Sequence, residues 1–276
     1  MVKIIETPRD AFQSIPHFIP SERKAEYIQS LLFCGFDTVE AGSFVSHKTI
    51  PQMRDTAEVI RRLDLSRVSS RIMVLSANLK GVQTAVEYDE IDDISYPFSA
   101  SEVFLRKNIG KSHSEALQEI EQCLSLCENR GKRLIVYLTM AFGNPYEEEW
   151  RVDSIMQWAE ILFQLGITCI PLSDITGEAD GKKIREVFSS LMPRFPGVEF
   201  GLHLHSDPVT AIGKVAAAYD AGCRRFDTVL GGYGGCPMTG RELLANLDTR
   251  VMTGFLKSKG CEGPVLPEGL LFPIPV

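Results

Sequence analysis

Histidine is scarce, no apolar run is long, and no two cysteines form a Cys-x-x-Cys pair; each shortage excludes something. The seven cysteines, Cys34, Cys123, Cys127, Cys169, Cys223, Cys236 and Cys261, are odd in number and irregularly spaced. That pattern fits reduced thiols in a reducing compartment rather than a disulfide framework. Cys123 and Cys127 stand one helical turn apart and read as packing residues. No apolar run reaches the ~20 residues that cross a bilayer, so no membrane partner is expected. The N-terminus runs almost at once into the strand-like Val2-Lys3-Ile4-Ile5. It shows neither the apolar core of a signal peptide nor an Arg-rich transit segment, and a cytoplasmic location is expected. A net charge of −7 argues against a nucleic-acid partner.

What is present is an alternation. Hydrophobic residues make up 44% of the 276, enough for a sizeable core. Short apolar runs alternate with longer amphipathic segments from end to end. Strands are expected at Ile4–Glu6, Asp37–Ala41, Arg71–Leu75, Ile91–Tyr96, Leu134–Leu138, Thr168–Leu172, Val198–His205 and Arg225–Val229. Between them the 3.6-residue period predicts helices, including Ser21–Cys34, Ser112–Asn129, Lys182–Leu191 and Ala211–Ala221. The last helix is expected to start near Gly240. Eight such pairs, with no linker-like gap, imply one α/β domain over 1–276, a closed (β/α)8 TIM barrel with a parallel sheet. The Pro- and Gly-rich tail from about Gly260 reads as an extended strap.

Chemistry in such barrels sits at the C-terminal ends of the strands. Two of the five histidines, His203 and His205, stand there on the seventh run. A strand alternates faces with period two, so both point the same way and offer a pair of metal ligands. Two ordinary histidines at a strand end remain the alternative. Other strand ends supply Asp10 beside Arg9, Glu40, Ser43, Asn78 and Asp174. Ser, Asp and Asn before a helix often cap it, and that is the plain explanation for Asp10, Ser43 and Asp174. A carboxylate with two imidazoles and an amide oxygen suits Mg or Mn, with Zn as a further option. Arg9 beside it is placed to hold an oxygen that becomes negative. The eighth run leads into Gly231-Gly232-Tyr233-Gly234-Gly235-Cys236, with Asn246 ten residues later. Pro237 stands where a dinucleotide fingerprint needs its third glycine, so the run reads as a mobile loop carrying a thiol.

These pieces together resemble the hydroxymethylglutaryl-CoA lyase family of metal-dependent barrels. The matching segments are Pro8-Arg9-Asp10 with Gln13, Val39-Glu40 with Ser43-Phe44-Val45-Ser46, Asn78-Leu79-Lys80-Gly81, His203-x-His205, and Gly232-Tyr233-Gly234-Gly235-Cys236-Pro237 with Asn246-Leu247. The resemblance implies retro-Claisen cleavage of 3-hydroxy-3-methylglutaryl-CoA, or a close 3-hydroxyacyl-CoA, to acetyl-CoA and acetoacetate or the matching ketoacid. It links the reaction to leucine degradation and ketone bodies. It implies a divalent cation held by Asp10, His203, His205 and Asn246. Arg9 and Cys236 would carry the chemistry, Glu40 and Asp174 would orient the site, and Gln13, Ser43 and Asn78 would join Arg9 in binding the acyl-CoA. A homodimer is expected by analogy. The sequence departs from the family's pattern at Ala11-Phe12 and at Ile175, which places the acyl pocket beside Phe12 and Ile175. The alternatives are an acyl-CoA-condensing synthase, a CoA-independent ketoacid aldolase, and a non-catalytic barrel.

Overall fold

The computed structural model describes residues 1–235 and 244–273. Lys3–Glu6 forms β1, which pairs in parallel with Thr38–Ser43 (β2) on one side and Arg225–Thr228 (β8) on the other. Arg71–Leu75 (β3), Asp93–Ser99 (β4), Arg133–Thr139 (β5), Cys169–Asp174 (β6) and Glu199–Ser206 (β7) follow in order. Because β6 pairs with both β5 and β7, the eight parallel strands close on themselves. The expected TIM barrel is the observed one.

Helices cover the outside: α1 (Pro8–Gln13), α2 (Ser21–Leu32), α3 (Thr56–Arg61), α4 (Leu79–Ala85), α5 (Glu102–Ile109), α6 (His113–Asn129), α7 (Val152–Gln164), α8 (Gly181–Arg194), α9 (Pro208–Asp220) and α10 (Thr249–Ser258). Their ends follow local chemistry. Ser112 and Glu115 form a reciprocal capping box at the start of α6. Gly110, at φ 73°, ends α5 in the left-handed region. Both α1 and α5 escape a periodicity reading: each is an extra short helix set between a strand and the longer helix that follows it.

The start of the last helix is a correction. Part of the stretch from Gly240 lies outside the described residues, and α10 begins only at Thr249. Asp248 sets that boundary by accepting a hydrogen bond from the Arg250 N–H. Just before it, Ala245–Asn246 forms a short strand, β9, antiparallel to β7, with Asn246 opposite His205.

Strand alternation creates two cores. The main one lies between sheet and helices and holds residues such as Ile4, Val39, Val74 and Phe226. A separate small cluster, Ile5, Met73, Ile135 and Cys169 with Tyr137 against it, fills the barrel's inside. Below that cluster, a charged layer closes the N-terminal end. Asp93 receives Arg71 at 2.6 Å and Arg133 at 2.9 Å, while Glu199 takes Lys3 and Arg225, the latter at 3.0 Å. Gly201 has no Cβ for a packing reason: one would sit 2.9 Å from the Arg225 side chain.

The tail after α10 runs extended, with no helix or strand through residue 273. Phe272 anchors it by packing against both Phe12 and Tyr27, with ring centroids 5.1 and 5.4 Å away.

Candidate active site

At the C-terminal end of the barrel the inward-facing residues become polar and surround a cavity of about 440 Å³. Arg9, Asp10 and Gln13 reach it from α1, which starts at Pro8 directly after β1. Proline suits that position because its missing N–H has no helical partner there and its φ is already helical. The short helix puts the three side chains on one side, at spacings of one and four residues. Gln13 donates to Asp10 Oδ1 at 2.6 Å, and Arg9 Nη1 donates to both Asp10 Oδ1 and Gln13 Oε1 at 3.1 Å.

Glu40 fixes Arg9 from β2. Its Oε2 accepts from Arg9 Nε at 2.9 Å and lies 2.7 Å from Nη2, a forked pair that holds the guanidinium plane. A β-bulge between Glu40 and Gly42 re-aims the strand at this point. Gly42 permits it, since a Cβ there would lie 2.6 Å from Thr56. Thr56 in turn bonds both the N–H and the carbonyl of Ser43.

His203 and His205 do share a face of β7, as the alternation requires. Their Nε2 atoms stand 2.8 Å apart, and His205 Nε2 is 3.6 Å from Asp10 Oδ2. One ligand atom from each of Asp10, His203 and His205 lies within 4.8 Å of the others, and all three residues are buried. Asn246, carried in by β9, donates through Nδ2 to Asp10 Oδ2 at 2.9 Å and to the Tyr233 carbonyl at 2.8 Å. Gly234 makes that approach possible, because a Cβ would come within 2.9 Å of Asn246 Nδ2. So the structure brings together Arg9, Asp10, Gln13, Glu40, His203, His205 and Asn246.

Electrostatics divide the cluster. Burial alone would raise the Asp10 carboxyl, but Arg9 and the two histidines outweigh it and hold it down to about 2. Burial next to His203 pushes His205 down to about 4, so its imidazole is neutral. Burial also disfavours a charge on His203, yet its hydrogen bond to Asp227 prevails and raises it. His203 Nδ1 faces Asp227, and its Nε2 faces His205 Nε2. The buried His205 Nδ1 has no partner among the described residues. An anionic carboxylate and two imidazoles, with His205 Nε2 2.8 Å from His203 Nε2 and 3.6 Å from Asp10 Oδ2, form a donor set that fits a divalent cation. Asn246 would join by turning its amide so that Oδ1 faces inward.

The remaining sequence-derived candidates are placed differently. Asn78 lines the cavity and also caps α4, accepting from the Gly81 N–H at 2.9 Å. Ser43 is buried but does not line the cavity, where Ser46 and Thr49 do. Asp174 does not line it either, although its neighbours Ser173 and Ile175 do. Its carboxylate instead accepts from the Glu178 and Ala179 N–H groups at 3.0 and 2.9 Å, holding the loop before α8. Phe12 is fully buried against Tyr27 and Phe272, so of the two residues expected at an acyl pocket only Ile175 faces the cavity. Cys236 lies outside the described residues.

Two residues of this site escape a reading of strand ends. Tyr137 donates to Asp227 Oδ2 at 2.7 Å, and the same oxygen lies 3.2 Å from His203 Nδ1. Both sit inside strands rather than after them. The available signal is alternation: Arg225 and Asp227 flank Phe226 and must share the inward face of β8.

The model of the HMGL-like family matches residues 1–257. A hydroxymethylglutaryl-CoA lyase of Bacillus subtilis is 34% identical over 230 residues, spanning 83% of this chain and 76% of that protein. A cytoplasmic 3-hydroxy-3-methylglutaryl-CoA lyase of Danio rerio is 32% identical over 262 residues, 95% of this chain and 77% of that one. The crystal structure of the Bacillus subtilis HMG-CoA lyase superposes with a TM-score of 0.90 at 32% identity, covering 98% of this chain and 90% of that one. An HMG-CoA lyase from Acinetobacter baumannii, solved with coenzyme A and 3-methylmalate, gives 0.88 at 28% identity, covering 96% and 86%. Fold, length and sequence agree over nearly the whole barrel, and the chain belongs to the HMGL-like family, in its hydroxymethylglutaryl-CoA lyase branch.

Proposed function

We propose that this protein is a divalent-metal-dependent carbon–carbon lyase that cleaves 3-hydroxy-3-methylglutaryl-CoA, or a close 3-hydroxyacyl-CoA, to acetyl-CoA and acetoacetate or the matching ketoacid. The observation that carries the reading is the Arg9 guanidinium, locked on Glu40, beside three convergent ligand atoms within 4.8 Å of one another. Asp10, His203, His205 and Asn246 would hold the cation, Mg or Mn by their oxygen and imidazole donors. When bound, it supplies Lewis acidity at the 3-hydroxyl and carboxylate oxygens of the acyl group.

The chain's own residues account for the other demands of a retro-Claisen cleavage. As the carbon–carbon bond breaks, negative charge moves onto the thioester oxygen. Arg9, already desolvated and oriented, stabilises that enolate, a contribution of about 3 kcal/mol for one well-placed donor. Glu40 keeps the guanidinium from turning away. Cys236 moves the proton to the departing carbon. Gln13 and Asn78 meet the substrate's polar groups, with Ser43 and Asp174 shaping the loops around them.

The relatives include proteins described as cytoplasmic and others as mitochondrial. Among the described residues no helix is long and apolar enough to cross a membrane. A cytoplasmic homodimer serving leucine degradation is the arrangement we propose.

The test is direct. Purified protein with Mg or Mn should release acetyl-CoA from 3-hydroxy-3-methylglutaryl-CoA, and EDTA should stop the reaction until metal is restored. Release of product only from a free ketoacid would replace the proposal with a CoA-independent aldolase. Full activity in a Cys236→Ala protein would remove the thiol from the mechanism.

A further inference from the structure

One buried carboxylate lies outside the mechanism above. Glu6, the last residue of β1, is fully buried on the side of the sheet away from the cavity. Its Oε1 accepts from the Leu230 N–H at 2.6 Å. Its Oε2 accepts from Thr249 Oγ1 at 2.6 Å and from Thr228 Oγ1 at 3.0 Å. Leu230 immediately precedes the glycine run, and Thr249 is the first residue of α10. The two oxygens therefore tie the outgoing and returning flanks of one loop to the same strand.

The flanks are also joined directly to each other, by Gly231 N–H donating to Asp248 Oδ1 at 3.1 Å, by Asn246 Nδ2 donating to the Tyr233 carbonyl at 2.8 Å, and through their backbone. Val229 N–H donates to the Leu247 carbonyl at 2.9 Å, and Asn246 N–H donates to the Gly232 carbonyl at 3.1 Å. These bonds hold the flanks to each other, whereas Glu6 holds them to β1, which leads into α1 and Asp10. Asn246 rides on the returning flank and meets Asp10 at 2.9 Å.

We propose that Glu6 is a positioning residue: its carboxylate sets both flanks of the β8–α10 loop against β1 and thereby places Asn246 on Asp10. This goes beyond the lyase reading and does not depend on which thioester is cleaved.

The surroundings of Glu6 make its hold sensitive to ionisation. Among the described residues, the charged group acting on it is Asp248, another anion. Tyr27 from α2 and Cys34 just after that helix also face it, and burial keeps both neutral, Cys34 at about 11. Burial outweighs the three hydrogen bonds and raises Glu6 to about 7. An opening that admits water would return Glu6 toward its ordinary value of 4.5. By linkage, ionisation then favours the open form, so the flanks loosen as pH rises from about 4.5 to about 7, and no further once both forms are ionised.

Hydrogen exchange of the whole protein, read at the amides of Leu230, Gly232 and Asn246, tests this without substrate. Glutamine can copy the tie, its oxygen accepting from Leu230 and its NH2 donating to the two threonines. Glu6→Gln should therefore keep the wild-type protection, while Glu6→Leu loses at least about tenfold at these amides and little in β3–β5. Wild type, after correction for intrinsic exchange, should lose protection up to about tenfold per unit between about pH 4.5 and 7 and level off above pH 7, with Glu6→Gln flat. Thr249→Val, which removes one donor, should loosen the Asn246 side and serves if Glu6→Leu does not fold. The proposal is overturned if Glu6→Leu or Thr249→Val leaves these amides unchanged. Protection lost evenly across the barrel, or one pH profile shared by wild type and Glu6→Gln, would overturn it too.

Discussion

The two ends of the barrel are built from the same residue types and finished differently. At the N-terminal end, Asp93 and Glu199 each meet two cations, and the layer closes. At the C-terminal end, Asp10, Glu40 and Asp227 face one arginine and two histidines, and His205 Nδ1 and Asp227 Oδ1 stay buried without partners among the described residues. Arg225 stands between the two. It pairs with Glu199 below, while its Nε and Nη2 lack partners among the described residues and its charge is felt by Tyr137 and Asp227 above. A completed layer is scaffold. An incomplete one is where a ligand's charge can be accommodated, because buried polar atoms without partners are costly until something binds them.

Substitutions at the two ends should therefore separate activity from stability. The largest effect belongs to Arg9. Arg9→Met should lower turnover with metal and 3-hydroxy-3-methylglutaryl-CoA by about 10²–10³-fold. Thermal melting should change less, because Glu40, already raised by burial, can take up a proton when its partner is gone. A fall in melting temperature without the kinetic loss would make Arg9 scaffold.

Asp227→Asn comes next. A carboxylate holding the far nitrogen of a ligating histidine typically contributes about 10–100-fold in metal affinity. That loss should appear in a metal titration while the melting curve stays close to wild type.

Asp93→Asn is the mirror experiment. It should cost about 1.5 kcal/mol in urea denaturation and leave turnover within about twofold. Its pH dependence has a defined sign. Burial would raise the Asp93 carboxyl, but hydrogen bonds from Arg71 and Arg133 hold it below its ordinary 3.8. The stabilisation is then fully present above about pH 4 and lost as pH falls through the lower folded value. The difference between Asp93→Asn and wild type should shrink at pH 3. The smallest effect is expected at Ser43, which is buried away from the cavity: Ser43→Ala should stay within about twofold in activity and about 0.5 kcal/mol in stability.

The comparison also explains what was legible in the sequence. The eight strands were, because buried parallel strands read as short apolar runs set between amphipathic helices. So was the pairing of His203 with His205, which needs only a period of two. The short α1 and α5 were not, since each stands between a strand and the longer amphipathic helix that completes its unit. Nor was the boundary of α10, where Asp248 as cap outweighed the glycines upstream. Tyr137 and Asp227 stayed hidden because attention to strand ends overlooks polar residues within a strand's inward face. Asp174 and Asn78 show the reverse difficulty: the same residue types that serve chemistry also cap helices and hold loops. Only the fold separates the two uses, as it does in bringing Asn246 beside Asp10 across 236 positions of chain.

A titration of metal-free protein with Mn2+, read by electron paramagnetic resonance on wild type and Asp10→Asn, measures the central claim. One tight site per chain in wild type, lost or weakened at least about 100-fold in Asp10→Asn with the fold intact by circular dichroism, is the expected result. Equal binding by the two proteins would contradict it, and would move the metal centre away from the unfinished end of the barrel.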